Sequence, residues 1–159
     1  MDYFERIDGV LHAEDVSLPA IADAVGTPVY VYSQATLQRH ARVFREGLSA
    51  LDDPLIVFAV KANPNLAVLR VLQREGFGAD VVSGGELRRA LAAGISPDKI
   101  VFSGVGKTRA ELELGLDTGI TQFNIESREE GMELAEIAAA RGERARAALR
   151  INPDVDAGT

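Results

Sequence analysis

Ile56-Val57-Phe58-Ala59-Val60-Lys61-Ala62-Asn63-Pro64-Asn65 is the stretch on which the reading of this chain turns. Residues 56–61 are rich in β-branched and aromatic side chains and read as a buried strand. Asn63-Pro64-Asn65 reads as a helix start, with Asn63 as N-cap and Pro64 at the first helical position. Lys61 then stands where a buried strand gives way to a helix. Burial there disfavours the charged form of its amine. A neutral amine can attack an aldehyde and form a Schiff base. The plainer reading is a solvated lysine, its stem packed and its ammonium in water. The two part on whether the amine is kept dry at the functional end of the sheet.

The same strand-then-helix unit repeats along the chain. Apolar runs at 79–82, 100–102, 123–125 and 147–151 follow the first about every 22 residues, too far apart for hairpins and suited to a strand plus crossover helix. Ser83-x-x-Glu86, Thr108-x-x-Glu111 and Ser127-x-x-Glu130 read as three capping boxes, each just after a strand. Gly76, Gly94, Gly119 and Gly142 stand where the helices should stop. Leu66, Leu69 and Leu72 supply one buried helical stripe, and Leu134, Ile137 and Ala138 another. Such alternation predicts a parallel sheet covered by helices, an α/β fold.

Polar residues collect at the C-terminal ends of these strands: Lys61, Asp80 to Ser83, Ser103, Asn124 to Ser127, Arg150 and Asn152. A (β/α)8 TIM barrel places its chemistry on that face. An open doubly wound sheet would bind at a switch point with a glycine-rich first turn, and Ala62-Asn63-Pro64-Asn65 is no such turn. A complete barrel needs eight strands and about 250 residues. Five strands are countable here, so the expectation is a partial barrel of about five of eight βα units, the N-terminal part of a longer protein. Residues 33–159 form this part, led by a helix over 33–51 with Leu37, Ala41, Phe44, Leu48 and Leu51 in 4-3-4-3 spacing. Residues 1–32 read as a separate arm: a short strand at 9–11, a helix over 18–25 and a strand over 29–32.

Composition narrows the function. The 159 residues are 47% hydrophobic, enough for a core. Net charge is −7 with no basic run, a poor match for nucleic acid or a membrane surface. No apolar stretch is long enough for a transmembrane helix. Met1-Asp2-Tyr3-Phe4-Glu5 is acidic and lacks the apolar core of a secretory signal. There is no cysteine, which excludes disulfides and thiolate metal sites here and fits a reducing cytoplasm. Two tempting motifs fail. Gly104-Val105-Gly106-Lys107-Thr108 ends like a P-loop, but Val101 stands where that motif needs its first glycine. Asn152-Pro153-Asp154-Val155-Asp156-Ala157-Gly158 has a displaced glycine and no closing glutamate for calcium, and reads as a solvated acidic turn. His12 and His40 lie far apart and read as surface residues, so no metal is expected.

Four ordered motifs together carry a family resemblance: 57–65 (VFAVKANPN), 76–87 (GFGADVVSGGEL), 102–108 (FSGVGKT) and 149–154 (LRINPD). The chain resembles the diaminopimelate decarboxylase family of fold-type III pyridoxal-phosphate enzymes, grouped with ornithine decarboxylase and alanine racemase. The resemblance implies that Lys61 holds pyridoxal 5'-phosphate as an internal aldimine. It implies decarboxylation of meso-2,6-diaminopimelate at its D-centre to L-lysine and CO2, in a cytoplasmic homodimer with shared active sites. Asp80, Glu86 and Arg150 match positions of a polar network near the cofactor in related decarboxylases. Glu86 is equally explained as a cap with Ser83. Arg150, at a buried strand end, needs an anion, and Asp80 or Glu86 would serve; that ion pair could be structural or catalytic. Ser103 and Asn63 could line the cofactor site or satisfy backbone at strand ends. The family's glycine-rich phosphate loop, ring-stacking histidine and pyridine-nitrogen acid lie later in the chain. The arm is implied to pack on a later β-domain. Other readings are another fold-type III decarboxylase or racemase, a non-catalytic pyridoxal-phosphate carrier, and an inert fragment.

Overall fold

The structure is a computed structural model that describes residues 2–153 and residue 155; most of the acidic turn at 154–158 lies outside the described residues. Two compact units divide the chain, Met1–Pro54 and Leu55–Thr159.

The first unit opens with an antiparallel meander, β1 (Phe4–Ile7), β2 (Val10–Ala13) and β3 (Val16–Ser17). The β1–β2 connection is the pair Asp8-Gly9, with φ of 49° and 82°, the left-handed geometry that twists a two-residue hairpin correctly. Ser17 caps α1 (Leu18–Val25) by accepting from the Ala20 amide. Residues 29–32, expected as a strand, join no ladder in the described structure. α2 spans Gln34–Gly47 with Ser33 as N-cap, and ends four residues short of the expected helix. Of its apolar stripe only Ala41 is buried; Phe44 and Leu51 are each 57% exposed. Glu14 fastens this unit. Its carboxylate accepts from Ser33 Oγ at 2.7 Å and from the Ala35 amide at 2.9 Å. The Ala35 amide first, then the Ser33 hydroxyl, hold that carboxyl below the usual range.

The second unit is one parallel sheet in the order β4 (Val57–Ala59), β5 (Gly78–Val81), β6 (Ile100–Phe102), β7 (Gln122–Ile125) and β8 (Ala147–Leu149). Helices α3 (Leu66–Arg74), α4 (Gly84–Ala92), α5 (Arg109–Thr118) and α6 (Arg128–Ala140) connect successive strands. Strand order equals chain order, with no reversal. A doubly wound sheet has a switch point, so this is the order of consecutive barrel units.

Pairing sorts the sheet residues into two faces, because neighbours in register share a face and alternate residues oppose it. Phe58, Ala79, Val81, Ile100, Phe102, Phe123 and Ile125 form one core with Leu69, Leu87, Leu112, Leu134 and Ile137 of the helices. The opposite face carries Ala59, Asp80, Val101 and Gln122 in register, then Ser103 and Asn124 one step further along. One face is apolar and covered by helices. The other mixes the polar Asp80, Ser103, Gln122 and Asn124 with Val57, Ala59, Val101 and Ala148.

Close packing explains two glycines. A Cβ at Gly78 would lie 2.0 Å from the Lys99 carbonyl oxygen, and one at Gly115 would lie 2.6 Å from the Phe123 ring. That ring stacks on Phe102 with centroids 6.3 Å apart. Gly115→Ala is therefore expected to cost about 1–3 kcal/mol through overpacking. Phe123→Leu in the same chain should recover part of the loss. Urea midpoints check this, and a wild-type midpoint for Gly115→Ala would contradict the packing.

Candidate active site

The turn after β4 sets the position of Lys61. The strand stops at Ala59, and Val60–Ala62 form one 3-10 turn closed by the Asn63 amide on the Val60 carbonyl at 3.0 Å. Val60 is fully buried and anchors the turn, while Lys61 is exposed. The dry amine expected at a strand end is thus not what the structure holds: β4 is an edge strand, and the 3-10 turn lifts Lys61 off it. Its ammonium makes no hydrogen bond or ion pair among the described residues. Asn63 is not the N-cap of α3. A residue before proline is held extended, and Asn63 sits at φ −159°, ψ 99°. Its Oδ1 accepts from the Asn65 amide at 3.1 Å, and Asn65 caps the helix by accepting from Ala67 at 2.8 Å. Asn-Pro-Asn offers two caps, and the second is used.

Across the polar face runs a line of side-chain hydrogen bonds. Gln122 Nε2 donates to Asn124 Oδ1 at 2.7 Å, and Asn124 Nδ2 donates to Ser103 Oγ at 2.9 Å. Ser103 Oγ in turn donates to Asp80 Oδ1 at 2.5 Å. Three neighbouring strands are joined this way, ending at the residue paired with Ala59, two positions before Lys61.

Arg150 belongs to a second group. Its Nη1 donates to Glu126 Oε1 at 3.0 Å, so its partner is neither Asp80 nor Glu86. Ladder register decides this: the Arg150 amide bonds the Ile125 carbonyl, which sets Arg150 beside Glu126. Arg150 is also not buried; just past the edge strand, its side chain is 59% exposed, while that of Glu126 is 9% exposed. Glu126 also accepts from the Gly104 amide at 2.9 Å. Burial pushes its carboxyl up, but the Gly104 amide and the Arg150 guanidinium outweigh that and hold it below the usual range.

Lys107 fixes the loop that carries Gly104. Its Nζ donates to Glu130 Oε1 at 2.7 Å, the Asn124 carbonyl at 2.7 Å and the Gly104 carbonyl at 2.9 Å. All three ammonium hydrogens are used, and the side chains of the pair are 1% and 7% exposed. Glu130 is thereby taken from the reciprocal half of the capping box expected with Ser127, which keeps only the Ser127 Oγ contact from the Glu130 amide. Glu86 departs in a similar way. Ser83 accepts from its amide, but its carboxylate accepts from Val82 rather than Ser83, at 2.9 Å. That engagement with backbone keeps Glu86 out of both polar groups. Only Thr108 and Glu111 form the full box. Among the described residues no cluster of His, Cys, Asp or Glu suits a metal ion, and no helix is long and apolar enough to cross a membrane.

The family model for the pyridoxal-binding domain of pyridoxal-dependent decarboxylases matches residues 34–159. The chain belongs to that family. A relative from Pseudomonas fluorescens, named diaminopimelate decarboxylase, is 56% identical over the whole chain, which covers 38% of it. One of the same name from Zymomonas mobilis is 54% identical over 96% of the chain and 37% of its own length. The crystal structure of the M. jannaschii diaminopimelate decarboxylase in complex with L-lysine matches with a TM-score of 0.87 and 36% identity, covering 98% of this chain and 37% of that one. The chain thus spans well under half of these relatives. The α/β fold and partial barrel expected of the sequence agree with these neighbours.

The residues present suit the family's pyridoxal phosphate. A primary amine stands at the C-terminal end of the sheet, solvated in this chain as the plainer reading of Lys61 has it, and a carboxylate with a directed hydrogen-bond line lies on the adjoining strands. Sequence reasoning placed Asn124 and Glu126 among the polar strand ends without giving them partners, and missed Gln122 and the role of Lys107. Polar residues at 122, 124 and 126, alternating with Phe123 and Ile125, are a period-2 signal that would have added Gln122. Nothing local marks the distant pairing of Lys107 with Glu130.

Glu111 accepts from the Gly84 amide at 2.8 Å as well as from Thr108, joining the N-termini of α4 and α5. The Gly84 amide first, then that of Thr108, hold its carboxyl below its ordinary 4.5. The stabilisation is therefore complete above pH 4.5 and is lost as pH falls through the lower folded value. Glu111→Gln is expected to cost about 1–2 kcal/mol at neutral pH. Denaturation midpoints followed downward should show the gap closing below pH 4.5; a gap unchanged in acid would contradict the charge's role.

Proposed function

We propose that this chain is the cofactor-bearing part of a diaminopimelate decarboxylase, which converts meso-2,6-diaminopimelate to L-lysine and CO2 in lysine biosynthesis. The observation that carries the reading is 56% identity, over the whole chain, to a relative of that name. The bound L-lysine in the M. jannaschii structure, which is this reaction's product, adds to it. We further propose a cytoplasmic homodimer acting on an amino-acid substrate. The arm at 1–32 is proposed to pack on a later domain.

In this reading Lys61 is the attachment point, its amine kept unpaired so that it can condense and be released. Pyridoxal phosphate, when bound, supplies the electron sink for the pair left as the carboxylate departs. Asp80 and Ser103 line the site from β5 and the end of β6. Arg150, fixed by Glu126, offers a guanidinium to an anionic group. Asn63 and Glu86 act through the backbone, shaping the turn after β4 and the start of α4. Dryness around Lys61 is left to whatever covers the edge of β4.

Incubation of the chain with pyridoxal phosphate, borohydride reduction and peptide mapping test the attachment. Mass should be gained on the peptide bearing Lys61 and vanish in Lys61→Ala; an equal gain in that variant would contradict the assignment. The 159-residue chain alone is expected to release no CO2 from meso-diaminopimelate above background, because a working barrel face draws on eight strands. Turnover near an ordinary enzymatic rate of about 10 per second would overturn that expectation.

A further inference from the structure

The line from Gln122 to Asp80 has a direction that chemistry imposes. An ionised carboxylate only accepts, so the single hydrogen of Ser103 Oγ points to Asp80. Ser103 must then accept from its other neighbour, which turns the amide NH2 of Asn124 toward it. Asn124 is left with its carbonyl to accept from Gln122. Every donor thus faces one way and the line ends on Asp80 Oδ1. Such chains polarise one another, so each link strengthens the next. Backbone fixes the geometry as well: the three strands are in register, and Lys107 holds the Asn124 carbonyl and the loop after Ser103.

We propose that Ser103 and Asn124 are positioning residues, set on the polar face to hold the Asp80 carboxylate in one orientation at the cofactor site. This rests on the proposed pyridoxal-phosphate site and deepens it. Asp80 has one oxygen committed to Ser103, which leaves the other to present charge beside the turn that carries Lys61. Gln122 closes the line at its far end and keeps Asn124 from flipping. Without Ser103 the carboxylate can rotate; with aspartate at 124 the line loses its donor and gains a repelling charge.

Titration of the chain with pyridoxal phosphate, followed by visible absorbance, tests this in parallel with urea midpoints. Ser103→Ala is expected to weaken binding about tenfold, the worth of one hydrogen bond to a charged group. Ser103→Thr, which keeps the hydroxyl, should restore it. Positioning acts through Asp80, so in the Asp80→Asn background Ser103→Ala should cost nothing further. A purely structural serine would instead show the same loss in both backgrounds, and that result, or unchanged binding in Ser103→Ala, overturns the inference. Should Ser103→Ala fail to fold, Asn124→Asp decides the matter on the same readout, expected to weaken binding and overturning the inference if it does not. Wild-type chain that binds no better than Lys61→Ala would instead overturn the cofactor site, and this inference with it.

Discussion

The partition of one parallel sheet into a helix-covered apolar face and a face that carries the polar line is the constraint on which everything else depends. Parallel strands need crossover helices, and helices must bury a stripe against the sheet. Phe102, Phe123, Val81 and Ile100 meet that need on one side. Register then leaves Asp80, Ser103, Gln122 and Asn124 on the other. A one-residue slip of β7 would exchange the faces, burying two amides and exposing two large apolar side chains. The polar line is therefore tied to the same register that builds the core.

That arrangement also separates two lysines. Lys107 is spent within the protein: buried over the Phe102 ring at 5.8 Å, it satisfies a carboxylate and two carbonyls. Removing Glu130 would leave an uncompensated buried charge, the costly kind of loss. Lys61 is the reverse case, exposed at the sheet's C-terminal end and without a partner among the described residues. An amine meant to condense with an aldehyde must be reachable. One lysine holds the loops; the other stays open to solvent, where the proposed cofactor site needs it.

Much of this was legible in the sequence, in specific places. Apolar runs near β4 to β8, the glycine stops and the serine and threonine caps marked the βα units, because each reflects local backbone demands. Lys61, Asp80 and Ser103 were readable as strand-end residues for the same reason. Three readings failed where another partner took the side chain. Glu130 and Glu86 were assigned to caps, yet Lys107 and the Val82 amide take their carboxylates. Arg150 was given Asp80 or Glu86, but strand register delivers Glu126. Residues 29–32 have strand composition and no strand to pair with, since composition cannot supply a partner. The expected burial of Lys61 failed because an edge strand ending in a 3-10 turn leaves its last residues open.

Competitive acylation of native amines tests the central claim, that a single accessible lysine serves the cofactor. The chain has three, Lys61, Lys99 and Lys107. With an amine-selective reagent and quantitative peptide mapping, Lys61 and Lys99 should react and Lys107 should not. Added pyridoxal phosphate should then protect Lys61 alone. Protection of Lys99 instead, or a Lys61 that reacts equally with and without pyridoxal phosphate, would contradict the account.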